Sequence, residues 1–401
     1  MVIIPKVRGF ICTAAHPEGC AKNVASQISY VNTHGKIEGA KNVLIIGAST
    51  GYGLASRIVA SFGCGANTIG VFFEKAAEGK RTASAGWYNS AAFENEATKA
   101  GYYAKSLNGD AFSNELKEKT IALIKKDLKK IDLIIYSLAS PRRTDPVTGE
   151  TYSSSLKTVG KTFNSKTVDP IKGIVKEVSI DPAEQKDIDN TIKVMGGEDW
   201  ELWIEALSQA EVLNADAMTV AYSYVGPELT YPVYKNGTIG KAKDHLLETA
   251  NKLNKKLAKQ GGKAFVSINK AVVTQASSAI PVVPLYISIL FKLMKEKGSH
   301  EGCIEQIYRL FKDFLYNTTG IPVDEQNRIR VDDLEMDPEI QKNISSAWQD
   351  ITTENLETLT DVNGYRQSFY QLFGFKVPEV DYEKEVDAKV DIPSVHQAGE
   401  R

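Results

Sequence analysis

Asn42-Val-Leu-Ile-Ile-Gly-Ala-Ser-Thr-Gly-Tyr-Gly-Leu-Ala-Ser-Arg57 decides how this chain is read. An apolar, largely β-branched run from Val43 to Ile46 stops at Gly47; Gly51 and Gly53 follow, then a helix-favouring segment from Leu54 to Phe62. Strand, glycine turn and helix place a helix N-terminus and bare backbone N–H groups where a pyrophosphate can sit. Glycine suits such positions because a side chain would block the tight turn or the ligand's approach. The spacing is G-x-x-x-G-x-G rather than G-x-G-x-x-G, and by itself it also fits a glycine-lined βα turn with no ligand.

The next strand-like run, Thr68-Ile-Gly-Val-Phe-Phe-Glu74, ends in an acid. It lies about twenty residues past the last glycine, where an acid accepts both ribose hydroxyls of an adenosine and repels a 2′-phosphate. Glu74 therefore favours NAD over NADP, or is a solvated acid at a strand end. Lys75, Lys80 and Arg81 pull the other way, since a cation would welcome that phosphate.

A chain of 401 residues, 42% hydrophobic and 24% charged, has the composition of a globular protein able to bury a core. Its net charge of −2 gives no general attraction to nucleic acid or anionic membrane. The N-terminus has charges interrupting its apolar stretch, unlike a signal peptide. The apolar run Ala279 to Phe291 is too short to span a bilayer and carries Pro281 and Pro284. The cytoplasm is the expected location. Four cysteines make no disulfide framework in so long a chain. Cys12, His16 and Cys20 resemble half of a zinc site, but no fourth ligand lies nearby in sequence, so no metal is expected.

Strand-like runs recur with helical segments between them, the pattern of an α/β doubly wound parallel sheet. Further strands are expected at 101–107, 131–140 and 217–224, with Lys263–Ile268 as the last of the core. Helical segments are expected at 114–130, 187–213, 239–259, 285–297 and 301–316, the second with Trp200 and Trp203 on its core face. Residues 142–182, rich in Thr, Ser, Gly, Pro and Lys, read as an insertion or flap. With no linker or repeat, residues 1–401 read as one integrated domain. It has an N-terminal extension (1–40), a dinucleotide-binding Rossmann core with substrate-binding segments (41–300) and a C-terminal helical appendage (301–401).

Carbonyl-polarising reductases need a hydroxyl whose proton can go to an oxyanion, and a cation that steers it. Two pairs in 224–243 compete. Tyr231 and Lys235 match Y-x₃-K, which requires one helix, yet Pro232 lies between them and Asn236-Gly237 signals a turn just behind. In the other reading Tyr234 sits on the loop and Lys243 projects from the following helix.

Over nearly its whole length the sequence resembles the trans-2-enoyl reductases, the family of FabV-type enoyl-acyl-carrier-protein and Ter-type enoyl-CoA reductases. The resemblance is carried by the opening Val7-Arg-Gly-Phe-Ile-Cys12, His16-Pro-x-Gly-Cys20, the glycine turn and Gly86-Trp-Tyr-Asn89. It continues through Asp110-Ala-Phe-Ser113, Tyr136-Ser-Leu-Ala-Ser-Pro141, Val194-Met-Gly-Gly-Glu-Asp-Trp200 and Tyr222-Ser-Tyr224. Gly240-Lys-Ala-Lys243, Val273-Thr-Gln-Ala-Ser277 and Met294-Lys-Glu-Lys-Gly298 complete it. The family's Y-x₈-K falls on Tyr234 and Lys243.

The resemblance implies a Rossmann-type sheet of the short-chain reductase kind and NADH-dependent reduction of the C2=C3 bond of trans-2-enoyl thioesters, in fatty acid synthesis or butyrate-type fermentation. It implies Tyr234 as proton donor, Lys243 as cofactor-binding cation and Tyr224 as a second contact to the thioester oxygen. NADH contacts are implied at Gly47, Ala48, Ser49, Thr50, Gly51 and Tyr52, at Phe73 and Glu74, at Asp110 and Ala111 beside adenine, and at Leu138 and Ala139 below the nicotinamide. Val272, Val273 and Thr274 would close over the cofactor. The acyl carrier, coenzyme A or acyl carrier protein, stays open, and the resemblance leans towards a monomer. No second dinucleotide signature follows Gly320, so no flavin is expected. The alternatives are a carbonyl reductase or dehydrogenase using Tyr231 and Lys235, and a non-catalytic NAD(H) sensor.

Overall fold

The computed structural model describes residues 1–138 and 140–395. Seven parallel strands form its main sheet: β1 (Asn42–Ile46), β2 (Asn67–Phe72), β3 (Ala104–Asn108), β4 (Ile131–Tyr136), β5 (Leu213–Ser223), β6 (Lys263–Ile268) and β7 (Arg328–Arg330). Their order is β7-β6-β5-β4-β1-β2-β3. Alternate residues of β1 serve opposite layers: Val43 and Ile45 pack with Leu54 and Leu290, while Leu44 and Ile46 pack with Trp203 and Leu253. Burial on both faces explains why the strand segments read as continuous apolar runs.

β1 lies between β2 and β4, with Val43 opposite both Thr68 and Leu133. The chain builds outwards from β1 to β3, then crosses back to continue at β4. That reversal opens a crevice beyond the strand ends, where doubly wound sheets bind ligands.

Residues 142–182 leave the main sheet as two antiparallel hairpins, Arg142–Thr144 with Thr151–Ser153 and Phe163–Asp169 with Ile174–Ile180. The helical stretch expected at 187–213 is two helices, Gln185–Met195 and Glu198–Gln209, parted at Gly196-Gly197. β5 starts at Leu213, ahead of the expected 217, and a register shift against β4 falls between Leu213 and Met218.

Lys263–Ile268 is not the last strand of the sheet. β7 pairs beside it, a three-residue strand with an arginine at each end and no pattern to announce it. The C-terminal residues also reach back across the fold. Met1 and Val386 exchange backbone hydrogen bonds, Trp87 Nε1 donates to the Val390 carbonyl, and the Tyr88 hydroxyl donates to that of Ala388. Among the described residues no helix is long and apolar enough to cross a membrane.

Candidate active site

Gly47 leaves β1 with φ +89°, and a Cβ there would run into the Ser137 carbonyl at the end of β4. Gly53 faces the Gly47 carbonyl just as closely. The turn therefore tolerates no side chain at either position. Its first two N–H groups are already spent, since Gly47 and Ala48 both donate to the Val71 carbonyl at 2.8 and 3.0 Å. The helix that follows, Gly51–Ile58, has Thr50 at its N-cap position, and the threonine side chain makes no capping bond. The first N–H groups of a helix have no intrahelical acceptor, so this end fits an anion. Tyr52 sends its hydroxyl 2.6 Å to the Lys270 carbonyl and so ties the turn to the end of β6.

Glu74 follows β2, its carboxylate held by two serines. Ser49 Oγ donates to Oε1 at 2.6 Å and Ser84 Oγ donates to Oε2. Burial pushes this carboxyl above the usual range, and both hydroxyls oppose the shift. A Cβ at Gly86 would strike the carboxylate, so that glycine is what admits it. Phe73 beside it is 76% exposed. Arg81, a candidate phosphate cation, is engaged by Glu78 at 2.8 Å. A carboxylate at this place can accept ribose hydroxyls and would repel a 2′-phosphate. Glu74→Ala is expected to remove a like-charge penalty of several kcal/mol against the 2′-phosphate, so the NADH-over-NADPH ratio of kcat/KM falls about a hundredfold or more. An unchanged ratio would assign the discrimination elsewhere.

Asp110 is exposed and accepts the Phe112 N–H at 3.0 Å, shaping the turn after β3. Ala111 is buried, and its carbonyl takes hydrogen bonds from Lys117 Nζ and Trp203 Nε1. Leu138 follows β4, half-buried; Ala139 lies outside the described residues. Val272 and Val273 are buried, while Thr274 caps the single turn Gln275–Ser278. A cavity of about 700 Å³ is lined by Thr50, Gly51, Glu74 and Val272–Thr274, among others. It joins the glycine turn to the adenosine acid and to the closing segment.

Tyr234 lies in the turns that precede the helix Thr238–Leu257, and Lys243 projects from the second turn of that helix. Neither lines the cavity just described. Burial, then the charge of Glu335, raises the Tyr234 phenol above its ordinary value, so it holds its proton at neutral pH. Its hydroxyl has no hydrogen-bond partner among the described residues. Burial pushes Lys243 down to about 8, and it has no ion-pair partner among the described residues. Tyr224, directly after β5, meets the Tyr234 ring edge-on with centroids 4.8 Å apart. Tyr231 and Lys235 form no pair of this kind. They precede the helix, and the Lys235 ammonium sits over the Tyr231 ring at 4.3 Å on the exposed side.

The Cys12, His16 and Cys20 side chains make local contacts, and His16 Nε2 is buried with no hydrogen-bond partner among the described residues. His16 Nδ1 accepts the Gly19 N–H at the start of Pro17–His34, Cys12 Sγ donates to the Ala14 carbonyl, and Cys20 is buried. Two buried charges near the site had no sequence signal at all. Glu335 accepts from Tyr224 and Tyr286, and Lys117 pairs with Asp199 beneath the Ala111 turn. Each depends on partners far away in the chain.

Residues 81–316 match a family region described as the trans-2-enoyl-CoA reductase catalytic region. The chain belongs to the trans-2-enoyl-CoA reductase family. Residues 2–79 match the family's NAD(P)H binding domain. The chain is 58% identical over 396 residues to a trans-2-enoyl-CoA reductase [NADH] of Ruminiclostridium cellulolyticum, covering 99% of this chain and all of the relative. It is 60% identical over 395 residues to an enoyl-[acyl-carrier-protein] reductase [NADH] of Flavobacterium johnsoniae, covering 98% of this chain and all of the relative. The crystal structure of Treponema denticola trans-2-enoyl-CoA reductase in complex with NAD superposes with a TM-score of 0.94 at 51% identity. That match covers 98% of this chain and 99% of the other.

One expectation is overturned. Residues 323–386 match a region described as the enoyl reductase FAD binding domain, against the reading that no flavin is involved. No glycine pattern marked it, because of the two glycines of that region Gly364 sits in the first turn of the helix Val362–Gln371 and Gly374 follows that helix, and neither opens a strand-to-helix turn. The region shows no phosphate cradle of its own, although Ser368, Gln371, Leu372 and Phe373 reach the wall of the 700 Å³ cavity.

Proposed function

We propose that this member of the trans-2-enoyl-CoA reductase family uses NADH to reduce the C2=C3 bond of trans-2-enoyl thioesters, with Tyr234 and Lys243 at the reacting centre. A double bond conjugated to a thioester is electron-poor at C3, where bound NADH supplies hydride. Charge then moves through C2 onto the thioester oxygen, and C2 takes a proton from solvent or from the site as the enolate collapses, so that one hydride and one proton saturate the bond. The protein's task is to stabilise that developing enolate rather than the resting carbonyl. Tyr234, protonated and with a free hydroxyl, donates to that oxygen. Lys243 holds the nicotinamide ribose through its ammonium. Gly47 to Tyr52 receive the pyrophosphate, Glu74 the adenosine ribose, and Leu138 supports the nicotinamide ring from below.

The observation that carries this reading is the half-buried phenol of Tyr234, with a hydroxyl that has no hydrogen-bond partner among the described residues and a ring packed edge-on with Tyr224. The relatives bear both carrier names, so coenzyme A and acyl carrier protein thioesters are both proposed as substrates, and the chain is proposed to act as a monomer. The expected result is NADH oxidation with crotonyl-CoA and none with acetoacetyl-CoA. The reverse pattern would support a carbonyl reductase. NADH binding without turnover of either would support a sensor. Parallel assays with crotonyl groups on acyl carrier protein rank the carriers.

A further inference from the structure

Glu335 lies between β7 and the helix Pro338–Asp350 and is fully buried. A carboxylate in such a place is costly unless its oxygens are satisfied. Three donors meet it. The Tyr224 hydroxyl reaches Oε1 at 2.9 Å and the Tyr286 hydroxyl reaches the same oxygen at 2.7 Å. The Ala271 N–H reaches Oε2 at 2.7 Å. Lys270, next in the chain, gives its ammonium to the Ala271 carbonyl and faces Glu335 only through its charge.

A phenol has one proton to give. Tyr224 gives its proton to Glu335, so on its other side that hydroxyl can only accept, and in this arrangement it has no proton for the thioester oxygen, against its expected role as a second contact there. The ring carrying it is the one against the edge of Tyr234, whose own proton is uncommitted. Ala271, held by the other oxygen, leads directly into Val272–Thr274. One carboxylate thus fixes both the neighbour of the proton donor and the base of the segment that lines the cofactor cavity.

We infer that Glu335 is a positioning residue for the reduction: by taking the Tyr224 proton it fixes the ring against which Tyr234 packs, and so holds the Tyr234 hydroxyl where it can donate to the enolate oxygen. This rests on the enoyl reductase reading. Glu335→Gln tests it because the Ala271 N–H still needs an acceptor. The amide oxygen turns to it, and the amide NH₂ turns to the phenols and reverses the hydrogen bond at Tyr224.

The experiment is a double-mutant cycle of full-length wild type, E335Q, Y224F and the double variant, with crotonyl-CoA and NADH as substrates. E335Q is expected to lower kcat on the order of tenfold, less than the ~10²–10³ for losing an oxyanion donor outright. KM for crotonyl-CoA and the Kd for NADH should move much less. In the Y224F background E335Q should add little, since a residue acting through another loses its effect when that partner is gone. An active E335Q, or a full E335Q loss persisting in Y224F, overturns the inference. If E335Q does not fold, as read by its thermal midpoint, E335N, which carries the same amide one methylene shorter, replaces it in the same cycle with the same criteria. A wild type that fails to turn over crotonyl-CoA overturns the functional reading instead.

Discussion

Tyr234→Phe is expected to lower kcat for crotonyl-CoA reduction by about 10²–10³, or ~3–4 kcal/mol of transition-state stabilisation, while the Kd for NADH stays near that of the wild type. Only an oxygen is removed. The ring still packs edge-on against Tyr224, and the hydroxyl had no partner among the described residues to orphan, so folding stability should barely change. Burial keeps the phenol protonated throughout the neutral range, so the loss should be similar at every pH there. Lys243→Met gives the contrast. Lys243 is half-buried, its pKa is pushed down to about 8 by desolvation, and it has no ion-pair partner among the described residues. Its assigned partner is the cofactor ribose, so this substitution should raise the Kd for NADH as well as lower kcat. Steady-state kinetics with NADH titrations separate the two patterns. Equal, mild effects from both would remove these residues from their roles.

What the sequence makes legible here is local. The Gly47–Gly53 turn, the acid at the end of β2 and the apolar strands are each written within a few consecutive residues, and backbone sterics translate them directly. Pro232 and the Asn236-Gly237 turn keep Tyr231 and Lys235 off a single helix for the same reason. The illegible parts depend on contacts between distant segments. Ser84 reaches Glu74 only because Gly86 lets the helix start approach. β7 is three residues long and belongs to the sheet only through its pairing with β6. Glu335 lies 111 residues beyond Tyr224 in the chain, and no pattern marks it as anything but a surface acid. The flavin-region match also lacked any glycine turn to betray it.

Lys117→Met is expected to destabilise the fold by roughly 3–5 kcal/mol, because it strips the partner from a buried carboxylate. Lys117 and Asp199 are both almost fully buried, 2.8 Å apart, and Asp199 also accepts the Tyr136 hydroxyl at 3.1 Å. Burial already raises the Asp199 carboxyl, and Lys117 is the largest force holding it down. Without that ammonium the folded state would keep a proton on Asp199 that the unfolded chain has released. Stability of the variant should therefore fall as pH rises from the ordinary carboxylate range towards the raised value, a slope added to that of the wild type. Thermal midpoints across that range read it. Adding Asp199→Asn removes the orphaned charge, so the double variant should recover much of the loss. Lys117 also donates to the Ala111 and Phe112 carbonyls at 3.2 and 2.9 Å, in the turn assigned to adenine. In whatever fraction remains folded, KM for NADH should rise while kcat at saturating NADH holds. A stable Lys117→Met with an unchanged KM for NADH would mean that the pair neither supports the sheet edge nor shapes the adenine turn.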